Sequence, residues 1–322
     1  MATIYEVATL AGVSPATVSR VFNGHTVSKG KIHLVRAAAK KLQFEPNRTA
    51  RTLRRQRSDL MALVIPDIEN PFFTSLARGV EDVAQSAGYS VVLCNTDEDY
   101  EKELRYFEIV MSENMAGVIL AAAGDRSDLS GLISRGRPIV AVDRGPHGFN
   151  IDSVMVDNRA GGIAATQDLI NQGFKRIACI TGPSDVETAQ QRTDGWRAAL
   201  KLLKGNKQPE SYLRHANNRV DGGREAMSAL LSLNPPPDAV FITNNLMCVG
   251  ALQVLSERGI SPSSIGVAVF GDLPFNISSE RVNKIIPLDA RQLGATAAKL
   301  LLERINGDEQ PTRTVVLHNE II

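Results

Sequence analysis

Residues 12–24 read GVSPATVSRVFNG, and the chemistry of this stretch decides what kind of chain carries it. Ser14 offers a hydroxyl to cap a helix, Pro15 takes the first helical position where a missing N–H costs nothing, and Gly24 is a stop. Val18, Val21 and Phe22 share one face at helical spacing, which turns Ala16, Thr17, Ser19 and Arg20 outward. A short polar face with one cation suits a major groove, because hydroxyls reach phosphates and an arginine fork spans a guanine edge.

Upstream, Thr3 and Glu6 have the spacing of a capping box for a helix with Ile4, Val7, Ala8 and Ala11 on one side, and Gly12 ends that helix in a turn. Downstream, Ile32, Val35, Ala39 and Leu42 mark a third amphipathic helix, which Ser28 is expected to cap. Three short helices then close one small core. The plainer alternative is a generic three-helix fragment on which Arg20 is merely solvated.

Residues 3–24 (TIYEVATLAGVSPATVSRVFNG) resemble the head of the LacI/GalR family of bacterial transcription regulators. The likeness continues in order through residues 70–99 (NPFFTSLARGVEDVAQSAGYSVVLCNTDED), GVILAAAG, VDNRAGG, residues 177–200 and residues 238–255. It implies a helix-turn-helix head at 1–45, a hinge at 46–58 and an effector-binding and dimerisation domain at 59–322. The head departs from the pattern in its third helix, where KGKIH replaces a Thr-Arg pair. By resemblance the DNA-facing residues are Thr3, Tyr5, Ser14, Pro15, Ala16, Thr17, Ser19, Arg20 and Asn23, joined from the hinge by Asn47, Arg48, Arg51, Leu53 and Arg54.

Charge is distributed as such a reading requires. Residues 1–57 hold eleven Lys or Arg against two acids, a balance of +9 within a chain of net charge +1, so the remainder carries −8. A basic head on an acidic body points to a polyanion partner at the N-terminus alone. From Phe44 the chain runs FEPNRTARTLRRQRSD, with five arginines and few apolar residues, so a marginal helix is expected there, one that orders only with DNA and a second subunit. By resemblance Leu53 is a wedge for the operator's minor groove; the alternative is that it packs on the head or its symmetry mate.

From Leu60 apolar strands alternate with amphipathic helices, which predicts an α/β fold. The small all-α helix-turn-helix head is thus followed by two doubly wound parallel-sheet lobes, an architecture like that of periplasmic binding proteins. MALVIP, YSVVLC, GVILAA and PIVAVD are the first strands; RIACITG, DAVFIT and GVAVFG form the second series. The final helix near 290–306 and the strand TRTVVL are expected to cross back, giving lobe one 59–157 with 287–311 and lobe two 158–286 with 312–322.

Ligands in such sheets bind beyond the carboxyl ends of the strands. That rule selects Asp143 and Arg144 after PIVAV, Asn244 and Asn245 after AVFIT, Asp272 after VAVFG, and Phe72 and Phe73 at the start of the first helix. The resemblance adds Arg192. It would clamp hydroxyls or a carboxylate, while Asn244 and Asp272 fix hydroxyls and Phe72 forms an apolar wall. For the Asp and Asn residues, helix capping is the alternative. Asn218 stands where sugar-binding relatives often place an aromatic residue, and Arg219 follows it. With Arg144 and Arg192 these residues suggest surplus positive charge, hence an anionic effector; the alternative is that Arg144 and Arg219 pair with acids such as Asp221.

The expected partners are a double-stranded, pseudo-palindromic DNA operator, a second copy of the chain, and a small effector: a sugar, sugar acid or sugar phosphate. No cofactor or metal is expected, since five scattered histidines and the unpaired spacing of Cys94, Cys179 and Cys248 match no ligand set. With no nucleophile motif either, an enzyme is disfavoured. The chain lacks a membrane span and begins with a helix-turn-helix instead of an export signal, so a cytoplasmic repressor is expected and a solute-binding protein without DNA function is the rival.

Overall fold

Thr3 starts the first helix as the spacing predicts, and the capping box closes in both directions. Glu6 N donates to Thr3 Oγ1 (3.4 Å), and Thr3 N donates to Glu6 Oε2 (2.6 Å). Helix α1 spans Ile4–Ala11 and ends at Gly12, whose φ of 64° is left-handed backbone that suits a residue without Cβ. Ser14 Oγ accepts Thr17 N (3.2 Å) at the start of α2, Pro15–Phe22. Helix α3 spans Lys29–Lys41. Ser28 occupies its N-cap without a side-chain bond, so the capping expectation is corrected: the Ser28 carbonyl, not its hydroxyl, takes the Ile32 N–H (3.1 Å). Val7, Ala8, Ala11, Val18, Val35, Ala38 and Ala39 form the small core.

A computed structural model describes residues 2–22, 26–44, 58–124, 127–145, 148–201, 210–261, 264–274 and 281–318. Asn23, Gly24 and the hinge candidates Asn47, Arg48, Arg51, Leu53 and Arg54 lie outside the described residues. The chain divides into two units, Met1–Ser58 and Asp59–Ile322.

In the second unit, strands alternate with helices as the apolar runs predict. The first series is β1 (Leu60–Ile65), α4 (Pro71–Ser86), β2 (Ser90–Asn95), α5 (Tyr100–Ser112), β3 (Gly117–Leu120), α6 (Ser130–Ser134), β4 (Ile139–Val142) and β5 (Asp152–Val156). The second is α7 (Asn158–Asn171), β6 (Ile177–Thr181), α8 (Glu187–Leu200), β7 (Leu213–His215), α9 (Val220–Leu231), β8 (Ala239–Ile242), α10 (Asn245–Glu257), β9 (Gly266–Phe270) and β10 (Lys284–Ile286). Helix α11 (Ala290–Ile305) and β11 (Thr314–Leu317) follow. The strands form two parallel sheets, ordered β11-β5-β4-β3-β1-β2 and β10-β9-β8-β6-β7.

Alternation along β1 explains why both faces are covered. Met61, Leu63 and Ile65 pack with Leu76 and Val80 of α4 and Leu293 and Ala297 of α11, whereas Ala62 and Val64 pack with Phe107 and Val110 of α5. Cys94, Cys179 and Cys248 are free and buried. No described helix is long and apolar enough to cross a membrane.

The expected placement of 312–322 in the second lobe is corrected by β11, which pairs in parallel with β5 of the first sheet (Thr314 beside Ser153, Leu317 beside Val156). The cause is a buried carboxylate. Asp152 accepts from Arg304 Nε (2.7 Å) and Nη2 (2.9 Å) and from Arg313 N (2.7 Å), while Arg304 Nη1 also binds the Asp308 and Gln310 carbonyls. That fork folds the chain after α11 back onto β5 and covers an edge that would otherwise be open.

Candidate functional site

The carboxyl ends of strands from both sheets open onto one cleft of about 340 Å³. Phe72, Phe73, Asp143, Arg144, Arg192, Asn218, Asn244 and Asp272 all line it. The strand-end rule thus places the residues together, and the local structure shows what each side chain has left to offer.

Asn244 Oδ1 caps α10 by accepting Met247 N (3.0 Å), so the capping alternative holds for that oxygen. Phe72 and Phe73 meet edge to face with centroids 4.9 Å apart; Phe73 is buried in the core as well as touching the cleft. Arg192 is buried and locked. Its Nε donates to Asn158 Oδ1 (2.8 Å), its Nη1 to the Thr243 carbonyl (2.8 Å), and its guanidinium lies 4.0 Å over the Phe270 ring. Burial pulls its pKa down to about 10, which leaves it charged at neutral pH.

Asp143 is buried with φ 66°. Burial pushes its carboxyl above the ordinary range, against the pull of Arg192 and Arg144. Left-handed backbone is costly for residues other than glycine, and of six such residues among those described, Glu98, Asp143 and Asn218 line this cleft.

The positive charge expected of Arg144 and Arg219 is met by carboxylates of the protein itself. Arg144 Nη1 and Nη2 each lie 2.7 Å from a carboxylate oxygen of Glu98, and Nη1 also reaches the Ala122 carbonyl (2.7 Å). Arg219 faces Asp67 and Glu69, both at 3.6 Å. The pairing alternative therefore holds, with partners from the first sheet's loops.

Sequence reasoning missed Asp67, Asn70, Glu98 and Phe270, which also line the cleft. The same strand-end rule contains their signal. Asn70 follows β1 and caps α4 through Phe72 N (3.0 Å), Glu98 follows β2, and Phe270 ends β9. Asn70 Oδ1 also accepts Asn245 Nδ2 (3.4 Å), and Glu187 Oε2 accepts Gly145 N (2.7 Å), so the two halves of the cleft touch at its sides.

Behind the cleft lies fully buried Glu103. Its Oε2 accepts Ala123 N (2.8 Å), and burial raises its pKa from the ordinary 4.5 against the pull of Ser127, Ala123 and Arg144. A carboxyl raised in the folded state stabilises below its unfolded pKa, and that contribution is lost as pH rises through the folded value. Wild type is therefore expected to lose stability relative to Glu103→Gln between pH 4 and 7.5. Thermal melts read this as a growing difference in Tm, roughly 2–4 °C for each kcal/mol in a unit of this size. Parallel Tm curves would refute it.

On the head, Ala16 and Arg20 are exposed and Pro15, Thr17 and Ser19 half-buried, while Tyr5 of α1 is 69% exposed. The Thr3 hydroxyl is engaged with Glu6 Oε2 (2.9 Å), and the Ser14 and Thr17 hydroxyls bond each other (2.9 Å). Lys29, Lys31, Arg36, Lys40 and Lys41 are exposed along α3, which carries more cations than α2. Among the described residues, no group of three or more His, Cys, Asp or Glu is arranged to hold a metal ion.

Residues 3–47 match the family model described as bacterial regulatory proteins, lacI family, and residues 58–320 match periplasmic binding proteins and sugar binding domain of LacI family. The ribose operon repressor of Escherichia coli (strain K12) is 36% identical over 316 residues, covering 97% of this chain and 94% of that one. The HTH-type transcriptional repressor PurR of Vibrio atlanticus (strain LGP32) is 29% identical over 326 residues, covering 100% and 97%. Among solved structures, a transcriptional regulator CelR–cellobiose complex aligns with a TM-score of 0.74 and 30% identity, covering 100% and 98%.

Proposed function

The chain belongs to the LacI family of bacterial regulatory proteins, and from that premise we propose that it represses transcription as a homodimer controlled by a neutral sugar in the cleft. It is a regulator and not an enzyme. Two heads related by a two-fold axis match the half-sites of a pseudo-palindromic operator. Cleft occupancy then shifts the affinity for that operator.

The observation that carries the sugar reading is the convergence of Asp143, Arg192, Asn218 and Asn244 on one cleft that Phe72 and Phe270 also line. Carboxylates accept, arginines donate and amides do both, which is the set that a ring of hydroxyls satisfies. D-Ribose is the first candidate because the relatives at 36% identity are named ribose operon repressors. Calorimetry with D-ribose, followed by gel shifts on the chain's own upstream DNA with and without it, tests the proposal. Absence of ribose binding sinks ribose as the effector, and ribose binding that leaves DNA affinity unchanged sinks control through the cleft.

Arg20 supports the DNA half as the exposed cation of α2. Arg20→Ala is expected to cost about 1–3 kcal/mol on the cognate operator, roughly 5- to 150-fold, and much less on random DNA. Equal losses on both would make it a phosphate contact only.

A further inference from the structure

Glu98 reaches the cleft from an unusual turn. Asp97 and Glu98 have φ of 54° and 60°, two successive left-handed residues without a glycine. Asn95 Nδ2 holds Asp97 Oδ1 (2.7 Å), Lys102 Nζ holds Asp97 Oδ2 (2.5 Å), and Asp99 caps α5 through Glu101 N (2.8 Å). Strained backbone persists only where its surroundings over-determine it, and here the strain places one carboxylate against Arg144.

The Arg144 side chain is 5% exposed and that of Glu98 39%. Both Glu98 oxygens take the guanidinium fork, one on each terminal nitrogen at 2.7 Å. That bidentate geometry is the one an effector's carboxylate or phosphate would adopt on the same arginine. Behind the fork the Ala122 and Ala123 carbonyls, at 2.7 and 3.1 Å from Nη1, hold Arg144 in place, so its fork is not free to turn to a second anion.

We propose that Glu98 is a specificity-determining residue: a built-in counter-anion that fills the Arg144 fork and excludes anionic ligands from the cleft. The proposal deepens the neutral-sugar reading and rests on it. A protein carboxylate at that spot adds like-charge repulsion to the loss of the fork, so a sugar acid or sugar phosphate meets two obstacles and an uncharged sugar neither. Removing the charge turns the bidentate ion pair into a weaker amide contact that an incoming anion can displace, so the same arginine becomes an anion site.

The test is thermal melting of the full chain at pH 7.5 in inorganic phosphate against chloride at equal ionic strength, with wild type and Glu98→Gln. Wild type is expected to gain nothing from phosphate beyond chloride. E98Q is expected to show saturable stabilisation, with phosphate affinity at least tenfold above wild type and phosphate competing with D-ribose. Folded E98Q without saturable phosphate binding overturns the proposal, as does wild type that binds phosphate equally well. Glu98→Ala, which frees the same fork, is read in the same way where the Gln variant does not fold. A chain that binds no ribose sinks ribose as the effector and leaves the phosphate comparison to decide this one.

Discussion

Gly250→Ala is expected to destabilise the second unit by about 3 kcal/mol or more, although alanine at an ordinary helical position gains about 1 kcal/mol over glycine. The sign reverses because α9 and α10 cross in near backbone contact. A Cβ on Gly250 would fall on the Val220 carbonyl oxygen and 2.9 Å from Arg224 N, and one on Gly223 would fall on the Met247 carbonyl. Backbone atoms cannot swing aside as side-chain tips do, so the helices must part and take Met227, Met247 and Ala251 out of their close-packed cluster. Gly131 of α6 is the internal control. A Cβ there meets nothing within 4 Å, so Gly131→Ala is expected to be stabilising by roughly 0.5–1 kcal/mol. Urea melts of both variants decide it, and a G250A midpoint at or above wild type would refute the close-approach account.

Arg192→Ala is expected to abolish sugar binding, with a loss of at least about 100-fold, or roughly 3 kcal/mol. The substitution removes a buried cation together with its bonds to Asn158 and Thr243 and its place over Phe270. It also strips Asp143 of the opposite charge that counts most against the cost of burial, so that carboxyl moves further above its ordinary range. Arg192→Lys is expected not to rescue, since an ammonium has neither the planar fork nor the stacking face. Calorimetry with D-ribose checks both variants; affinity within a few-fold of wild type in R192A would remove Arg192 from the binding set. The DNA-binding head forms a separate unit with its own core, so non-specific DNA binding is expected to survive.

Much of this was legible because the signals are short-range. The Thr3–Glu6 box, Gly12 and the Ser14–Pro15 start of α2 each act within four residues, and the strand ends of β4, β8 and β9 follow from apolar runs that both faces of a parallel sheet require. Phe270 also lines the cleft, 52 positions from Asn218, and no local pattern around Asn218 announces it.

By itself the sequence determined the three-helix head, the α/β alternation of the second unit and the strand ends that converge on the cleft. Periodicity, capping and turn chemistry are properties of neighbouring residues. Only the tertiary structure decided where β11 pairs and what the cleft's arginines hold. Asp152 draws in Arg304 across 152 positions, and Glu98 takes Arg144 across 46, so whether a buried arginine is free for a ligand depends on which distant carboxylate the fold brings to it. Burying an unpaired charge is costly enough that the fold's choice of partner, not the arginine's own neighbours, sets the charge a ligand meets.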